Sequence, residues 1–302
     1  MEVFYTNLAS VLNTTPELAE QLVLNYNKGD LEFFQTYFTY FPTAVFAVNN
    51  SKNSSVNMTL FVEEENIGYG GFAAIKKNRA KPFVYKTFIN RYSEEKRLQF
   101  IKPIFKEAII QTLLQSDPKN GKHICKLYKV YRVGNECVFQ IEPLETTIEK
   151  YFETNPTHIT KVIVKLLEII NYFKTTYGFS HNDLKLDNVM TVKQGNAVAG
   201  IKLIDFGLSS VQFDAVAIGK ASKTRSDMQY LFYSLSKHLE LEPNEFSNLI
   251  DTMLELPTDT PIQTYIDMLL QEQAGAEQAE AVQKKAGGFS RRNKTRKNRK
   301  FI

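Results

Sequence analysis

The residues best suited to chemistry fall in two short runs, HNDLKLDN (His181 to Asn188) and IDFG (Ile204 to Gly207). Asp183 and Asn188 stand five positions apart, and Asp205 ends a strand-like stretch beyond a predicted hairpin. Two carboxylates and a carboxamide supply the hard oxygen atoms that a magnesium-bound nucleotide requires. They also include a base for the proton of an attacking hydroxyl. On that chemistry Asp183 would accept the proton of an attacking hydroxyl in phosphoryl transfer from Mg·ATP, and Asn188 and Asp205 would hold the metal ions. IDFG alone is a weak signal; its place after H-x-D-L-K-x-x-N makes the pair specific.

Such a site needs elements that hold it, and the upstream half of the chain offers them. From Ile67 the sequence reads IGYGGFAAI, a Gly-rich turn between two strand-like stretches. Gly68 and Gly70 lack a Cβ, so their backbone N–H groups can approach phosphate oxygens closely. Phe83-Val84-Tyr85-Lys86 follows, and a lysine in so apolar a segment needs an acidic partner to keep its proton. These runs, in this order, resemble the eukaryotic-type serine/threonine protein kinase family.

The resemblance implies an α+β fold of two lobes, a small antiparallel-sheet lobe over residues 46–141 and a mostly helical large lobe over 142–272. ATP would lie between them under Ile67, Gly68, Gly70 and Ile75, with Ala73 in place of the family's third Gly. Lys86 would hold the α- and β-phosphates and pair with Glu107, with Glu94 and Glu95 as alternative partners. Ile141 would guard the back of the adenine pocket, with Glu142 and Leu144 on the hinge. Lys185, the serine/threonine-type choice, would contact the γ-phosphate. His181 and Phe206 read as packing that sets Asp205, and Asp227 as the residue that braces the catalytic loop.

Periodicity places the helices. One is expected over Ile104 to Gln115, after Pro103, with Phe105, Ala108, Ile109 and Leu113 on one apolar face. A second is expected to start at an Asn155 cap with Pro156 in its first turn and to end at Gly178. Ile159, Val162, Ile163, Leu166, Leu167, Ile170 and Phe173 recur along it at helical spacing and read as core. HICKLYKVYRV and ECVFQIEPL read as strands joined at Gly134-Asn135. Cys125 and Cys137 fall on these runs, and free thiols are expected rather than a disulfide.

Residues 1–45 precede the kinase-like region and suggest two or three short helices, one starting at Thr15-Pro16-Glu17. A regulatory or partner-binding module is one reading. An extension packed on the small lobe is favoured, because the aromatic residues of LEFFQTYFTYF need burial. Asn49 to Asn57 reads as a loop.

Composition changes again over 273–302. Lys284 to Lys300 carries nine basic residues and no acidic one, so the formal charge of +4 becomes −5 when they are set aside. A solvated, disordered tail is expected, able to make non-specific, salt-sensitive contact with a polyanion. Its Gly-Gly and basic ending resembles those of proteins from large DNA viruses. No apolar run approaches the ~20 residues of a membrane span, and the polar N-terminus is no signal peptide. An intracellular enzyme is expected, in the cytoplasm or nucleus, or in a host cell or virion if viral.

Two departures from the family bear on substrate. Asn182 replaces the Arg that gathers a phosphorylated activation loop, which argues against such control. Asp227 follows Asp205 by only 22 positions with no Ala-Pro-Glu stretch between them, so the peptide platform is shortened. Three functions fit, in this order: a serine/threonine protein kinase acting on an unknown protein, a small-molecule kinase, and a pseudokinase that binds partners.

Overall fold

The computed structural model describes residues 1–29, 31–40, 45–46, 59–61, 64–69, 73–78, 82–88, 97–133, 136–194, 197–220, 225–239, 245–275 and 277–278. Gly70, the 49–57 stretch, Glu94, Glu95, the Gly134-Asn135 turn and the basic run from Lys284 lie outside them.

Three helices open the chain: α1 (Glu2–Leu12), α2 (Pro16–Asn25) and α3 (Leu31–Tyr40). The Thr15 hydroxyl caps α2 by accepting from the Leu18 N–H at 3.3 Å, and Pro16 takes the first turn, where no N–H is required. A short parallel pair follows, β1 (Val45–Phe46) with β2 (Thr59–Phe61). The main sheet contains β3 (Glu64–Tyr69), β4 (Ala73–Asn78), β5 (Val84–Phe88), β6 (Leu127–Val133) and β7 (Glu136–Ile141). Its order is β3-β4-β5-β7-β6, and every neighbouring pair is antiparallel. Register places Lys86 between Ile75 on β4 and Phe139 on β7.

Helix α4 (Arg97–Gln115) connects β5 to β6 and starts earlier than the expected Ile104. Pro103 lies inside it rather than at its first turn. The apolar pattern explains the difference: Phe100 and Ile101 are buried together with Ile104, Phe105 and Ala108, so the buried face continues upstream of the proline. That burial outweighs the lost intrahelical hydrogen bond.

The large lobe begins with α5 (Ile148–Thr154), whose Thr147 cap accepts from the Lys150 N–H. A 3₁₀ turn at Pro156–His158 leads into α6 (Ile159–Tyr177). Asn155 does not cap α6; its amide turns back to the Tyr151 carbonyl and the Thr154 hydroxyl. Gly178 ends α6 in the left-handed region at φ 54°, and a Cβ there would come within 2.9 Å of the Gln212 carbonyl. Ile159, Ile163, Leu166, Leu167, Ile170 and Phe173 are all buried, while Val162 is partly exposed.

Two hairpins follow, β8 (Val189–Gln194) with β9 (Ala197–Leu203) and β10 (Val211–Phe213) with β11 (Val216–Ile218). The chain then forms α7 (Asp227–Leu239), α8 (Glu245–Leu254) and α9 (262–275). One apolar core runs through all of this, from Phe4 and Phe34 in the N-terminal helices through Phe105 and Phe139 to Phe206 and Phe232. Cys125 and Cys137 are buried free thiols, and burial raises the pKa of both.

Candidate active site

Four elements converge on the charged groups. Strand β5 carries Lys86, α4 carries Glu107, the segment between α6 and β8 carries His181 to Asn188, and the turn after β9 carries Asp205. Lys86 Nζ lies 2.7 Å from Glu107 Oε1 and 2.8 Å from Asp205 Oδ1. The three side chains differ in exposure at 13% for Lys86, 4% for Glu107 and 50% for Asp205. Burial disfavours the charge on Lys86, but the carboxylates of Glu107 and Asp205 more than offset it and hold the ammonium in its charged form. Burial pushes the Glu107 carboxyl above its ordinary range, with Asp205 adding to the rise and Lys86 opposing it. At Asp205 burial is overcome by Lys86, and the carboxyl stays below its ordinary range.

The second cluster centres on Asp183. Lys185 Nζ is 3.1 Å from its Oδ2, and Asn188 Nδ2 donates both to its carbonyl at 2.8 Å and to its Oδ2 at 2.9 Å. With both amide hydrogens of Asn188 used on Asp183, its Oδ1 is the atom left to accept or to ligate. Asp183 is therefore held in place by two neighbours of its own turn before any substrate arrives.

Asp227 supports this turn from below. Its carboxylate accepts from the His181 N–H at 2.8 Å and from the Asn182 N–H at 2.7 Å. His181 is fully buried with its ring 5.7 Å from that of Phe206. Its Nε2 lies 3.0 Å from the Ile204 carbonyl, which can only accept, so this nitrogen carries the proton. Both residues serve as packing that links the turn of Asp183 to that of Asp205.

Asn182 has a role that the sequence gave no direct sign of. It sits in the left-handed region at φ 62°, as does Asp205 at φ 61°. Asn and Asp enter that region more readily than most residues. The Asn182 amide donates to the Leu208 carbonyl at 2.9 Å and the Lys220 carbonyl at 3.1 Å, with Ser210 Oγ at 3.4 Å. Ser180 and Ser210 exchange backbone hydrogen bonds, both 2.9 Å, and the Ser209 hydroxyl donates to the His181 carbonyl at 3.1 Å. Neutral hydrogen bonds thus tie both ends of the β10–β11 hairpin to the loop that carries Asp183.

The nucleotide-side expectations fall unevenly. Ile67 and Gly68 lie on β3, where Gly68 pairs with Ile75, while Gly70 is outside the described residues. Ile141 ends β7 opposite Val84. The Glu142 N–H donates to the Lys126 carbonyl at 2.9 Å, and its carboxylate accepts from the Lys126 N–H and from Lys202 Nζ at 2.6 Å. Glu142 therefore acts as a strut between Lys126, just before β6, and Lys202 on β9, and Leu144 follows partly buried on the connection to α5. The reach of Lys202 could not be read locally, because it lies 60 positions from Glu142.

Asp117 was also missed. It follows α4 and accepts from the Lys119 and Asn120 N–H groups and from the hydroxyls of Tyr172 and Tyr177. The local signal was available, since Asp before Pro-Lys-Asn-Gly is a turn former.

With this geometry in view, the match to known proteins has a structural meaning. The protein kinase domain pattern matches residues 61–231, more than half of the sequence, and the chain belongs to that family. It has the family's fold, an N-terminal antiparallel sheet with a mainly helical lobe behind it. "Serine/threonine-protein kinase PRR2" of Saccharomyces cerevisiae is 31% identical over 135 residues, which are 43% of this chain and 18% of that protein. "Death-associated protein kinase 2" of Mus musculus is 27% identical over 161 residues, 50% of this chain and 42% of the relative. A crystal structure of a kinase domain is similar at 19% identity over 63% of this chain and 62% of its own, with a TM-score of 0.41. The chain thus spans less than half the length of the curated relatives it matches. These relatives come from yeast and mouse, and they lend no support to the viral resemblance of the C-terminal tail. Among the described residues no helix is long and apolar enough to cross a membrane.

Proposed function

We infer that this chain is an ATP-dependent serine/threonine protein kinase that transfers the γ-phosphate of Mg·ATP to a hydroxyl. The observation that carries the reading is that the Lys86–Glu107–Asp205 trio and the Asp183–Lys185–Asn188 cluster are both complete and hydrogen-bonded, with the Ile204 N–H donating to the Asn188 carbonyl at 3.1 Å to join their two turns. Lys86, kept charged by Glu107, would bind the α- and β-phosphates; Ile67, Gly68, Gly70 and Ile75 would cover the nucleotide, with the adenine edge at Leu144 and Glu142. Asp205, half-exposed, and the Asn188 carboxamide oxygen are hard donors that fit magnesium, which would neutralise phosphate charge when bound.

Asp183 would accept the proton of the attacking hydroxyl, and Lys185, within 3.1 Å of it, would place positive charge near the transferring phosphoryl group. Most of the rate would come from position and electrostatics. A small-molecule acceptor is the second reading. It is favoured by the short stretch from Asp205 to Asp227, 22 positions apart, within which lies the β10–β11 hairpin. Labelled Mg·ATP offered with acidic and basic proteins and a metabolite extract separates the two. The expected result is label on serine or threonine of a protein; label confined to a metabolite would overturn the protein assignment.

A further inference from the structure

The N-terminal helices do more than cover the small lobe. Helix α4 buries apolar side chains in several directions, since Phe100, Ile101, Ile104, Phe105, Ile109, Ile110, Leu113 and Leu114 are all buried while Pro103 is exposed and Lys102 and Lys106 are partly so. Such a helix requires packing partners on more than one face. At 100° per residue, Phe105 and Glu107 point to opposite sides of α4. Glu107 faces Lys86, whereas Phe105 faces α3, with the Phe34 ring 5.6 Å and the Tyr37 ring 6.2 Å away.

The N-terminal helices hold α4 and the residue after it at two further points. The Tyr26 hydroxyl donates to the Lys102 carbonyl at 3.2 Å, and the Lys102 ammonium lies over the rings of Tyr26 and Phe34 at 5.1 and 5.7 Å. Beyond the end of α4, Asn7 Nδ2 donates to Ser116 Oγ at 2.9 Å. Meanwhile the helices also reach the β10–β11 hairpin. Phe4 meets Phe213 edge to face at 6.1 Å, and Asn27 donates its amide to the Ala217 carbonyl. That hairpin is the segment whose ends Asn182 holds beside Asp183.

One module therefore touches both parts whose placement completes the charged site. We propose that α1–α3 are a built-in positioning module: they press α4 inward so that Glu107 meets Lys86, and they hold β10–β11 against the loop of Asp183. Competence for transfer would then reside in the chain's own N-terminal segment and need neither phosphorylation between Asp205 and Asp227 nor a separate activating partner; the β10–β11 hairpin itself, VQFDAVAI, carries no hydroxyl to phosphorylate. This rests on the kinase reading. Phe34, Phe4 and Asn27 are positioning residues; none would touch substrate.

The test compares full-length Phe34→Ala, Phe34→Leu and Asn27→Ala with Leu269→Ala, a buried position on α9, the helix whose Tyr265 stacks on Phe232 of α7. All are assayed well below their unfolding transitions for kcat and KM(ATP), and by hydrogen exchange along α4 and β10–β11. Phe34→Ala is expected to lower kcat by about tenfold or more and to speed exchange over residues 104–115, with Phe34→Leu restoring most of both. Leu269→Ala is expected to lose comparable thermal stability while kcat stays within about twofold of wild type. Asn27 is at the surface, so Asn27→Ala decides the matter if Phe34→Ala fails to fold; it is expected to speed exchange in β11 and lower kcat by about threefold. Folded variants with wild-type kcat and wild-type protection of α4 and β11 would overturn the proposal. A wild type without transfer would instead refute the kinase reading, and exchange alone would then decide whether α1–α3 hold α4.

Discussion

Replacing Lys86 with Met removes the cation between two carboxylates, and the structure gives the size of the effect. Glu107 is 4% exposed, so without Lys86 its charge is buried and unpaired, with the negative Asp205 nearby. Breaking such a pair typically costs about 3–5 kcal/mol. The lower end applies, about 3 kcal/mol, because Glu107 can escape by taking up a proton; its pKa is already raised by burial. At roughly 2–4 °C per kcal/mol for a domain of this size, Lys86→Met should unfold about 6–12 °C below wild type at pH 8.

The sign of the pH dependence follows. A carboxyl with a raised pKa contributes stability below its unfolded value and loses it as pH rises through the folded one. Lys86→Met should therefore be less destabilised at pH 5.5 than at pH 8. The double variant Lys86→Met/Glu107→Leu replaces the pair with apolar groups and should recover to within about 1 kcal/mol of wild type at both pH values, because a buried ion pair is near neutral against an apolar one. Neither variant should transfer phosphate. Urea and thermal unfolding followed by circular dichroism decide the point. A double variant as unstable as Lys86→Met would refute the reasoning, since the loss would then not arise from an unpaired Glu107.

Three other expectations can be checked by unfolding. Asn182→Asp keeps shape and tolerance of the left-handed region but puts an acceptor opposite the Leu208 and Lys220 carbonyls; a loss of about 2–3 kcal/mol in urea is expected. Asp117→Asn should lose about 3 kcal/mol at pH 7, because hydrogen bonds to a charged group weaken together. Burial opposes the Asp117 charge, but hydrogen bonds from Asn120, Tyr177, Tyr172 and Lys119 hold its pKa below the ordinary range. Its contribution is thus present above the unfolded pKa and lost as pH falls through the folded one, so Asp117→Asn should flatten the acid limb of stability below pH 4. Glu149 is pushed up to about 7, first by its hydrogen bond with Asp187 and then by burial. Stability from that shared proton fades as pH rises through about 7, and Glu149→Gln should flatten the change in Tm between pH 5 and 8.

What could be read from the sequence was what local chemistry encodes. Asp183, Asn188 and Asp205 could be singled out as candidates because their types and spacing are what the proposed phosphoryl transfer would require. Helix α6 was legible from its apolar period and from Gly178, which only the helix end demanded. Pro103 misled because a proline reads locally as a first-turn residue, whereas burial of Phe100 and Ile101 extends α4 past it. Asn155 failed as a cap for a similar reason: a 3₁₀ turn intervenes, and its amide serves the end of α5.

The rest depends on distant partners. Asn182 and Glu142 read only as a replaced arginine and a hinge residue. Their roles require carbonyls 26 and 38 positions from Asn182 and a lysine 60 from Glu142. The arrangement of α1–α3 was open in the same way. Its aromatic residues announced burial, but nothing local named α4 and β10–β11 as the surfaces that bury them.

The central claim is that Asp183 sits in an assembled phosphotransfer site. The most direct test is a side-by-side assay of purified wild type and Asp183→Asn with labelled Mg·ATP, each offered itself and generic protein acceptors. The account predicts transfer by wild type and a fall of about 10²–10⁴-fold in the variant, with both proteins unfolding at similar temperatures. Equal transfer by both would contradict the role of Asp183, and no transfer by either would contradict the assignment of kinase activity.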